Sequence, residues 1–209
     1  MPEFLKISAD NTEEIILTRA VEILSGGGII AYPTETFYGL GADATNPKAI
    51  EKIFTAKGRD FKNPISLIIG NPDETYSLVK NIPERAKRLM KAFWPGALTI
   101  VFSASDDISP LLTAGSGKVG LRVSSHPIAL KIVQKLKKPL TATSANASGA
   151  PECSVASEVD QQIGGKIDAI IDWEQTKGVT ASTIIDVTCD PPVILREGAV
   201  SRREIEKIY

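Results

Sequence analysis

The residues that most often form metal sites and disulfides are scarce in this chain of 209 residues, which has two cysteines and one histidine. Cys153 and Cys189 are far apart and lack metal-ligand spacing, which argues against a zinc site or disulfide framework and fits a reducing compartment. With His126 as the single histidine, a histidine-based catalytic triad is hard to build. Because Pro127 follows it, we expect His126 to be a turn or cap residue at a helix start.

Long apolar runs and a strong imbalance of charge are also missing. No run approaches the roughly 20 apolar residues that span a bilayer, and the N-terminal segment Met1–Lys6 lacks the charged and apolar regions of a signal peptide. The net charge of −1 argues against a general nucleic-acid-binding protein, although a local basic pocket remains compatible with it. We therefore expect a cytoplasmic protein that does not contact membranes.

What is present is an ordinary globular composition, with 43% hydrophobic and 23% charged residues. The chain has no internal repeat, low-complexity tract or charge run that would indicate a linker. The sequence therefore predicts one domain over residues 1–209.

Apolar residues recur at helical spacing in four segments, which contain Ile16, Ile50, Ala86 and Ala129. Asn46 followed by Pro47 is typical of a helix cap and a first-turn proline. Short apolar runs suited to strands lie between and after these segments, at Gly28–Tyr32, Ile65–Ile69, Leu98–Phe102, Val119–Val123, Ala169–Asp172, Thr183–Val187 and Val193–Leu195. The alternation indicates an α/β protein, and the last strands, which no helix separates, favour a mixed sheet.

Two polar segments follow predicted strands, where open α/β sheets usually place ligands. Pro33–Gly41 carries hydroxyls, a carboxylate and two glycines, and a polar turn that closes a strand explains it equally well. Thr141–Gly149 is rich in small hydroxyl residues that can donate to phosphate or carboxylate groups. A simple Ser/Thr-rich turn is its alternative, and the density of hydroxyls favours a functional loop.

Five charged or polar positions have two interpretations each. Lys57 continues the apolar face of the second helix and Arg59 follows it, which suits a phosphate site, but a solvated helix C-terminus explains both residues better. Arg122 and Arg196 each lie near the end of an apolar strand run, and a buried arginine needs either an internal carboxylate or an anionic ligand. Ser182 also lies near the end of an apolar strand run. Position alone does not show whether these residues have partners within the protein or bind a ligand.

Taken in order, the motifs of this chain resemble those of the YrdC/TsaC family of threonylcarbamoyl-AMP synthases. Each motif is weak alone, but the ordered set is specific and extends from about Asn11 to the C-terminus. The family signature is the pair Lys-x-Arg and Ser-x-Asn. The matching segments are Pro33–Gly41, Lys57–Arg59, Trp94–Thr99, Val119–Val123, Ser144–Asn146, Ser182–Asp186 and Leu195–Gly198.

The resemblance implies an open, twisted, mixed sheet flanked by helices, with a basic concave cleft for ATP and threonine. The implied threonine-binding residues, with the guanidinium on the amino-acid carboxylate and Ala142 acting through its backbone, are Thr34, Thr36, Tyr38, Arg122, Ala142 and Ser182. The implied ATP-binding residues are Lys57, Arg59, Asn63, Ser144, Asn146 and Arg196. Lys57 and Arg59 are also implied as catalytic, through charge neutralisation at the phosphates.

The implied activity is that of a nucleotidyltransferase that makes threonylcarbamoyl-adenylate and pyrophosphate from L-threonine, bicarbonate or CO2, and ATP. The product would pass to the machinery that transfers threonylcarbamoyl to tRNA. Mg²⁺ is expected with ATP, held mainly by phosphates and water rather than by protein ligands.

Two alternatives use the same cleft. One is an RNA-binding module that grips a phosphate backbone and contacts RNA directly, and the other is a domain that handles carbamoyl-adenylate. The chain also departs from the family pattern at Thr180-Ala181 and at Ile68, where some archaeal relatives have histidine, and these changes bear on affinity for threonine. Longer relatives have an extra C-terminal domain, so we expect closure of the cleft to come from elsewhere in this chain.

Overall fold

In a computed structural model, which describes residues 1–7, 13–176, 178 and 180–208, ten strands form one mixed sheet. The strands are β1 Glu3–Lys6, β2 Ile30–Tyr32, β3 Gly39–Gly41, β4 Ser66–Ile68, β5 Leu98–Ser103, β6 Lys118–Arg122, β7 Leu140–Ser144, β8 Ala169–Asp172, β9 Thr183–Asp186 and β10 Val193–Arg196. Their spatial order is β1-β8-β2-β3-β7-β4-β6-β5-β9-β10. The pairs β1/β8, β8/β2, β4/β6 and β5/β9 are parallel and the others are antiparallel, so the predicted mixed sheet is confirmed.

The helices are α1 Glu13–Ser25, α2 Pro47–Lys57, α3 Thr75–Leu78, α4 Glu84–Phe93, α5 Pro110–Thr113, α6 Pro127–Leu136, α7 Ala156–Ile163 and α8 Arg202–Glu206, with short 3-10 helices at Pro72–Glu74 and Gly164–Lys166. The four predicted apolar stripes lie on α1, α2, α4 and α6. The side chain of Asn46 caps α2 by accepting from the backbone N–H groups of Lys48 and Ala49 at 3.1 and 3.3 Å. His126 caps α6 in the same way, since its Nδ1 accepts from the Ile128 N–H at 3.3 Å, and its predicted capping role is confirmed.

Helices cover both faces of the sheet, and each face has its own hydrophobic core. One core lies between the sheet and helices α1 and α6, and the other lies between the sheet and helices α2, α4 and α7. Successive residues of β2 alternate between the two cores, with Ile30 and Tyr32 in the first and Ala31 in the second, as the period of two in a strand requires. Within the described residues, no helix has both the length and the apolar character needed to cross a bilayer.

Two central strands come from segments that the sequence suggested were loops. Gly39 of β3 pairs with Ser144 of β7, and Leu40 pairs with Thr143, so the two polar segments lie side by side in the sheet. The hydroxyl of Thr141 reinforces this pairing, because it accepts from the Ala42 N–H at 2.9 Å and donates to the Leu40 carbonyl at 3.3 Å. The expectation that these segments are purely loops was therefore wrong, and the pairing brings both into one site.

Candidate active site

A cleft of about 800 Å³, its open mouth included, lies where the β2–β3 connection meets β6, β7 and the segment before β9. All six residues that were predicted to bind threonine line this cleft: Thr34, Thr36, Tyr38, Arg122, Ala142 and Ser182. Arg59, Ser144 and Arg196 from the predicted ATP-binding set line it as well. Residues spread over most of the chain therefore meet in one cavity.

Three members of the predicted ATP-binding set, Lys57, Asn63 and Asn146, do not line the cleft. Asn63 is exposed on the segment after Arg59. Lys57 and Asn146 are buried, and the ammonium of Lys57 contacts the loop Ser144–Asn146. Direct contacts of these three side chains with a nucleotide therefore stay predictions.

The buried ammonium of Lys57 holds the loop Ser144–Asn146. Its Nζ donates to the carbonyl oxygens of Ser144 and Asn146, the latter at 2.7 Å, and to Asn146 Oδ1 at 3.0 Å. Asn146 Oδ1 also accepts from the Ser144 hydroxyl at 2.6 Å, and its Nδ2 donates to the Ala150 carbonyl at 2.6 Å. Since an ammonium has three donors, these contacts use all of them to fix the shape of the loop.

The left-handed glycine between Lys57 and Arg59 explains why the two cations face different places. Gly58 has φ of 61° and ends α2, with its N–H donating to the Thr55 carbonyl and the Arg59 N–H donating to the Phe54 carbonyl. Lys57 therefore keeps its helical position on the inward face, whereas Arg59 leaves the helix axis and enters the cleft.

Burial, together with the nearby charge of Arg59, lowers the pKa of Lys57 from its usual 10.5 to about 8. Because the folded chain loses this proton at a lower pH than the unfolded chain, the unfolded chain binds more protons between about pH 8 and 10.5. The contribution of Lys57 to the free energy of unfolding should therefore be constant below about pH 8 and rise above it.

We expect the wild type to gain roughly 1–2 kcal/mol relative to Lys57→Met when the pH rises from about 8 to 9.5. Urea unfolding of both proteins at several pH values measures this difference. A difference that stays constant over this range would show that Lys57 titrates normally in the folded state. The comparison with Lys57→Met cancels the contributions of other titrating groups.

Arg59 and Arg196 are each held by backbone oxygens that aim them at the cleft. Arg59 Nη2 donates to the Pro64 carbonyl at 2.9 Å, and burial lowers its pKa. Arg196 donates from Nε to the Ser182 carbonyl at 3.0 Å and from Nη2 to the Ser182 hydroxyl at 3.1 Å. Ser182 and Arg196 therefore form one unit, although the sequence assigned them to different ligands.

The connection between β2 and β3 also presents hydroxyls to the cleft. The Thr34 and Thr36 hydroxyl oxygens lie 3.1 Å apart, and the Thr34 hydroxyl donates to the Phe37 carbonyl at 2.6 Å. Tyr38 directs its phenol to the backbone of Trp173, where it accepts from the N–H at 3.2 Å. Burial raises the pKa of Tyr38 to about 12, so the phenol stays protonated at neutral pH.

Two carboxylates near the cleft were not recognised as site residues from the sequence. Glu152 lines the cleft, and Glu35 pairs with Arg122, with Nη1 and Oε1 at 3.3 Å. The sequence left open whether an internal carboxylate or a ligand balances Arg122, and the structure shows an internal carboxylate. The position of Glu35 inside a candidate motif was a signal, but its partner lies 87 residues away and nothing local indicates it.

Three arginines and several hydroxyls in one cleft suit a ligand with more than one anionic group, such as a carboxylate and phosphates. Among the described residues, no cluster of three His, Cys, Asp or Glu side chains could hold a metal ion. The donor set therefore does not fit a metal bound entirely by protein ligands. Fold and site together define an open α/β protein with a cleft that three arginines and several hydroxyl side chains line.

Comparisons with known proteins identify the family. The Sua5/YciO/YrdC family model, described as "Telomere recombination", matches residues 22–198. A threonylcarbamoyl-AMP synthase of Pyrococcus abyssi is 41% identical over 199 residues, which cover 95% of this chain and 58% of the relative. A threonylcarbamoyl-AMP synthase of Photobacterium profundum is 35% identical over 184 residues, which cover 87% of this chain and 98% of the relative.

The crystal structure of P. abyssi Sua5 complexed with L-threonine is similar in fold as well. It has a TM-score of 0.93 and 39% sequence identity, and the match covers 100% of this chain and 60% of that one. The chain belongs to the Sua5/YciO/YrdC family. It spans somewhat more than half the length of the Pyrococcus relative and nearly the full length of the Photobacterium relative.

Proposed function

We propose that this protein is a threonylcarbamoyl-AMP synthase, a nucleotidyltransferase that joins L-threonine, bicarbonate or CO2, and the adenylate of ATP. The observation that carries the proposal is the meeting of Arg59, Arg122 and Arg196 with threonine and serine hydroxyls in one cleft. The names of the relatives, and the L-threonine bound to the Pyrococcus protein, support this choice of substrates.

The amino acid takes the side of the cleft formed by Arg122 and the β2–β3 connection. The guanidinium of Arg122 has the planar set of donors that binds a carboxylate in a bidentate manner, and Thr34 and Thr36, on either side of its partner Glu35 in the sequence, line the same cleft. Ser182, Tyr38 and the backbone of Ala142 complete this side. A small polar amino acid matches the short hydroxyl side chains that surround the position.

The nucleotide takes the side formed by the arginines and the loop Ser144–Asn146. Arg59, Arg196 and the Ser144 hydroxyl contact the phosphates directly, and the exposed Asn63 on the segment that follows Arg59 stays a predicted contact. Lys57 contributes by holding this loop through Asn146, and the hydrogen bonds between the two residues support such a positioning role. Arg59 is then the catalytic cation at the phosphates.

In the reaction, the amine of threonine adds to CO2 and loses a proton, which gives a carbamate. A carbamate oxygen attacks the α-phosphorus of ATP, and the bond to the bridging oxygen breaks to release pyrophosphate. The chain supplies position and positive charge for the oxygens that gain charge, and no protein nucleophile is needed. Arg59 and Arg196 supply this positive charge.

Mg²⁺ enters this proposal only as the ion that accompanies ATP, held by phosphates and water. We propose a cytoplasmic location and a product that passes to the machinery that transfers threonylcarbamoyl to tRNA.

Incubation with ATP, threonine and labelled bicarbonate tests the proposal. We expect labelled threonylcarbamoyl-AMP and pyrophosphate in equal amounts, both dependent on threonine. Pyrophosphate release without threonine would contradict the mechanism. Salt-sensitive RNA binding without synthesis would favour an RNA-binding module, and ATP consumption with carbamoyl phosphate but not threonine would favour a carbamoyl-adenylate domain.

A further inference from the structure

Three successive side chains between β2 and β3 point in alternating directions. Thr34 and Thr36 line the cleft, whereas Glu35 turns away from it towards the end of β6 and the start of α6. The side chain of Glu35 is only 14% exposed. A carboxylate withdrawn from water in this way needs partners within the protein.

Ser124 is the first partner of Glu35. Its fully buried hydroxyl accepts from the His126 N–H at 3.2 Å and donates its single proton to Glu35 Oε2. The backbone at the start of α6 thus fixes the hydroxyl, and the hydroxyl fixes one oxygen of the carboxylate. Ser124 itself does not line the cleft.

Arg122 is the second partner. Its side chain is 7% exposed, and its Nη1 lies 3.3 Å from Glu35 Oε1. Within the described part of the chain, neither of these two buried atoms has an aligned hydrogen bond, so the contact is an ion pair that leaves the donors of the guanidinium uncommitted. Because Arg122 also lines the cleft, the donors of its Nε and Nη2, for which the described residues provide no hydrogen-bond partner, are available to an anionic ligand there.

We infer that Glu35 is a positioning residue for the amino-acid substrate: with Ser124, it holds the Arg122 guanidinium at the cleft so that it can bind the carboxylate. The inference rests on the proposed function for the identity of this ligand. A guanidinium this deeply buried needs a counter-charge to remain in place. Glu35 supplies that charge without occupying the face that the ligand uses.

The direction in which a substitution of Glu35 changes threonine binding distinguishes this positioning role from a purely electrostatic effect. If Glu35 acted only through its negative charge, Glu35→Gln would make the cleft more positive and strengthen binding of a carboxylate. If Glu35 positions Arg122, the same substitution weakens binding. Glu152→Gln is the matched control, because it also removes one negative charge near the cleft but leaves the contact of Arg122 intact.

Calorimetric titration with threonine and steady-state kinetics measure the effect. We expect Glu35→Gln to raise the Kd and KM for threonine on the order of tenfold, with the KM for ATP unchanged. Ser124→Ala should act in the same direction with a smaller effect, and Glu152→Gln should not weaken threonine binding. Tighter threonine binding by Glu35→Gln, or an equal loss in Glu152→Gln, would overturn the inference.

A ligand without the carboxylate provides a second comparison. L-threoninol should bind wild type and Glu35→Gln equally, because it offers no anion to Arg122, and a parallel loss for both ligands would contradict the positioning role. A crystal structure of Glu35→Gln decides the inference even if the wild type makes no threonylcarbamoyl-AMP. We expect a displaced Arg122 guanidinium, and one that keeps its place would refute the inference independently of the enzyme's activity.

Discussion

Lys57→Met is expected to lower turnover about a hundredfold or more and to lower the free energy of unfolding by about 2 kcal/mol. Methionine keeps the apolar stem but leaves the Ser144 and Asn146 carbonyls and Asn146 Oδ1 without the ammonium. Buried acceptors without a donor cost roughly 1–3 kcal/mol each, and removing the buried charge offsets part of that cost. The loop Ser144–Asn146 then loses the shape that places Ser144 in the cleft.

Lys48→Met is the matched control for this substitution, because Lys48 is an exposed lysine on the same helix. We expect wild-type turnover and an unchanged unfolding midpoint for it. Threonine-dependent pyrophosphate release gives turnover, and urea unfolding gives stability. Wild-type turnover and stability in Lys57→Met would show that the three hydrogen bonds of Lys57 contribute to neither quantity.

The unfolding measurement also separates two roles for Lys57. A lysine that only contacted phosphate would raise the KM for ATP upon substitution and leave the stability of the free protein intact. A lysine that holds the loop lowers stability in the absence of any ligand. The Ser148 N–H donates to the Lys57 carbonyl at 2.9 Å, so its NMR signal reports directly on the end of this loop.

The fold class and the main helices could be predicted because their signals are local. The apolar stripes of α1, α2, α4 and α6 repeat within a few turns, and the caps formed by Asn46 and His126 involve residues two or three positions away. Interactions of this range depend only on residues that are close in the sequence. The sequence therefore contains enough information to place these helices.

Features that depend on distant partners could not be predicted in the same way. Strand β3 has only three residues, two of them glycines, and it forms because β2 and β7 flank it, the latter about a hundred residues further along the chain. The carboxylate that balances Arg122 is similarly remote in sequence. The ordered set of motifs identified the residues of the cleft, but their contacts follow from tertiary packing alone.

The sequence around Lys57 determines the face of α2 on which this residue lies, but not the group that its ammonium contacts. Its position seven residues after Ile50 correctly indicated the inward face of α2. It did not indicate whether the ammonium of Lys57 contacts a ligand in the cleft or the loop Ser144–Asn146, because that loop comes from a distant part of the chain. The motif assigned Lys57 to the ligand, which stays a prediction, and the structure adds the contact of its ammonium with the loop that borders the cleft.

Gly198→Ala is expected to lower the free energy of unfolding by about 3 kcal/mol and turnover by about a hundredfold. A Cβ at this position would lie 2.1 Å from the Ala181 carbonyl oxygen and 2.9 Å from the carbonyl carbon of Ser182. Both contacts are with backbone, which has little freedom to yield, because Ala199 N–H donates to the Ala181 carbonyl at 2.9 Å.

The damage from Gly198→Ala should extend into the cleft, since Ser182 and Arg196 form one hydrogen-bonded unit on the displaced segment. Gly165→Ala is the matched control: no atom lies within 4 Å of its added Cβ, so stability should change by no more than about 0.5 kcal/mol. Thermal unfolding and pyrophosphate release measure both variants. Equal stability and turnover of the two variants would mean that the segment Ala181–Ser182 moves freely. A wild-type KM for both substrates in Gly198→Ala would show that Arg196 does not contribute to substrate binding.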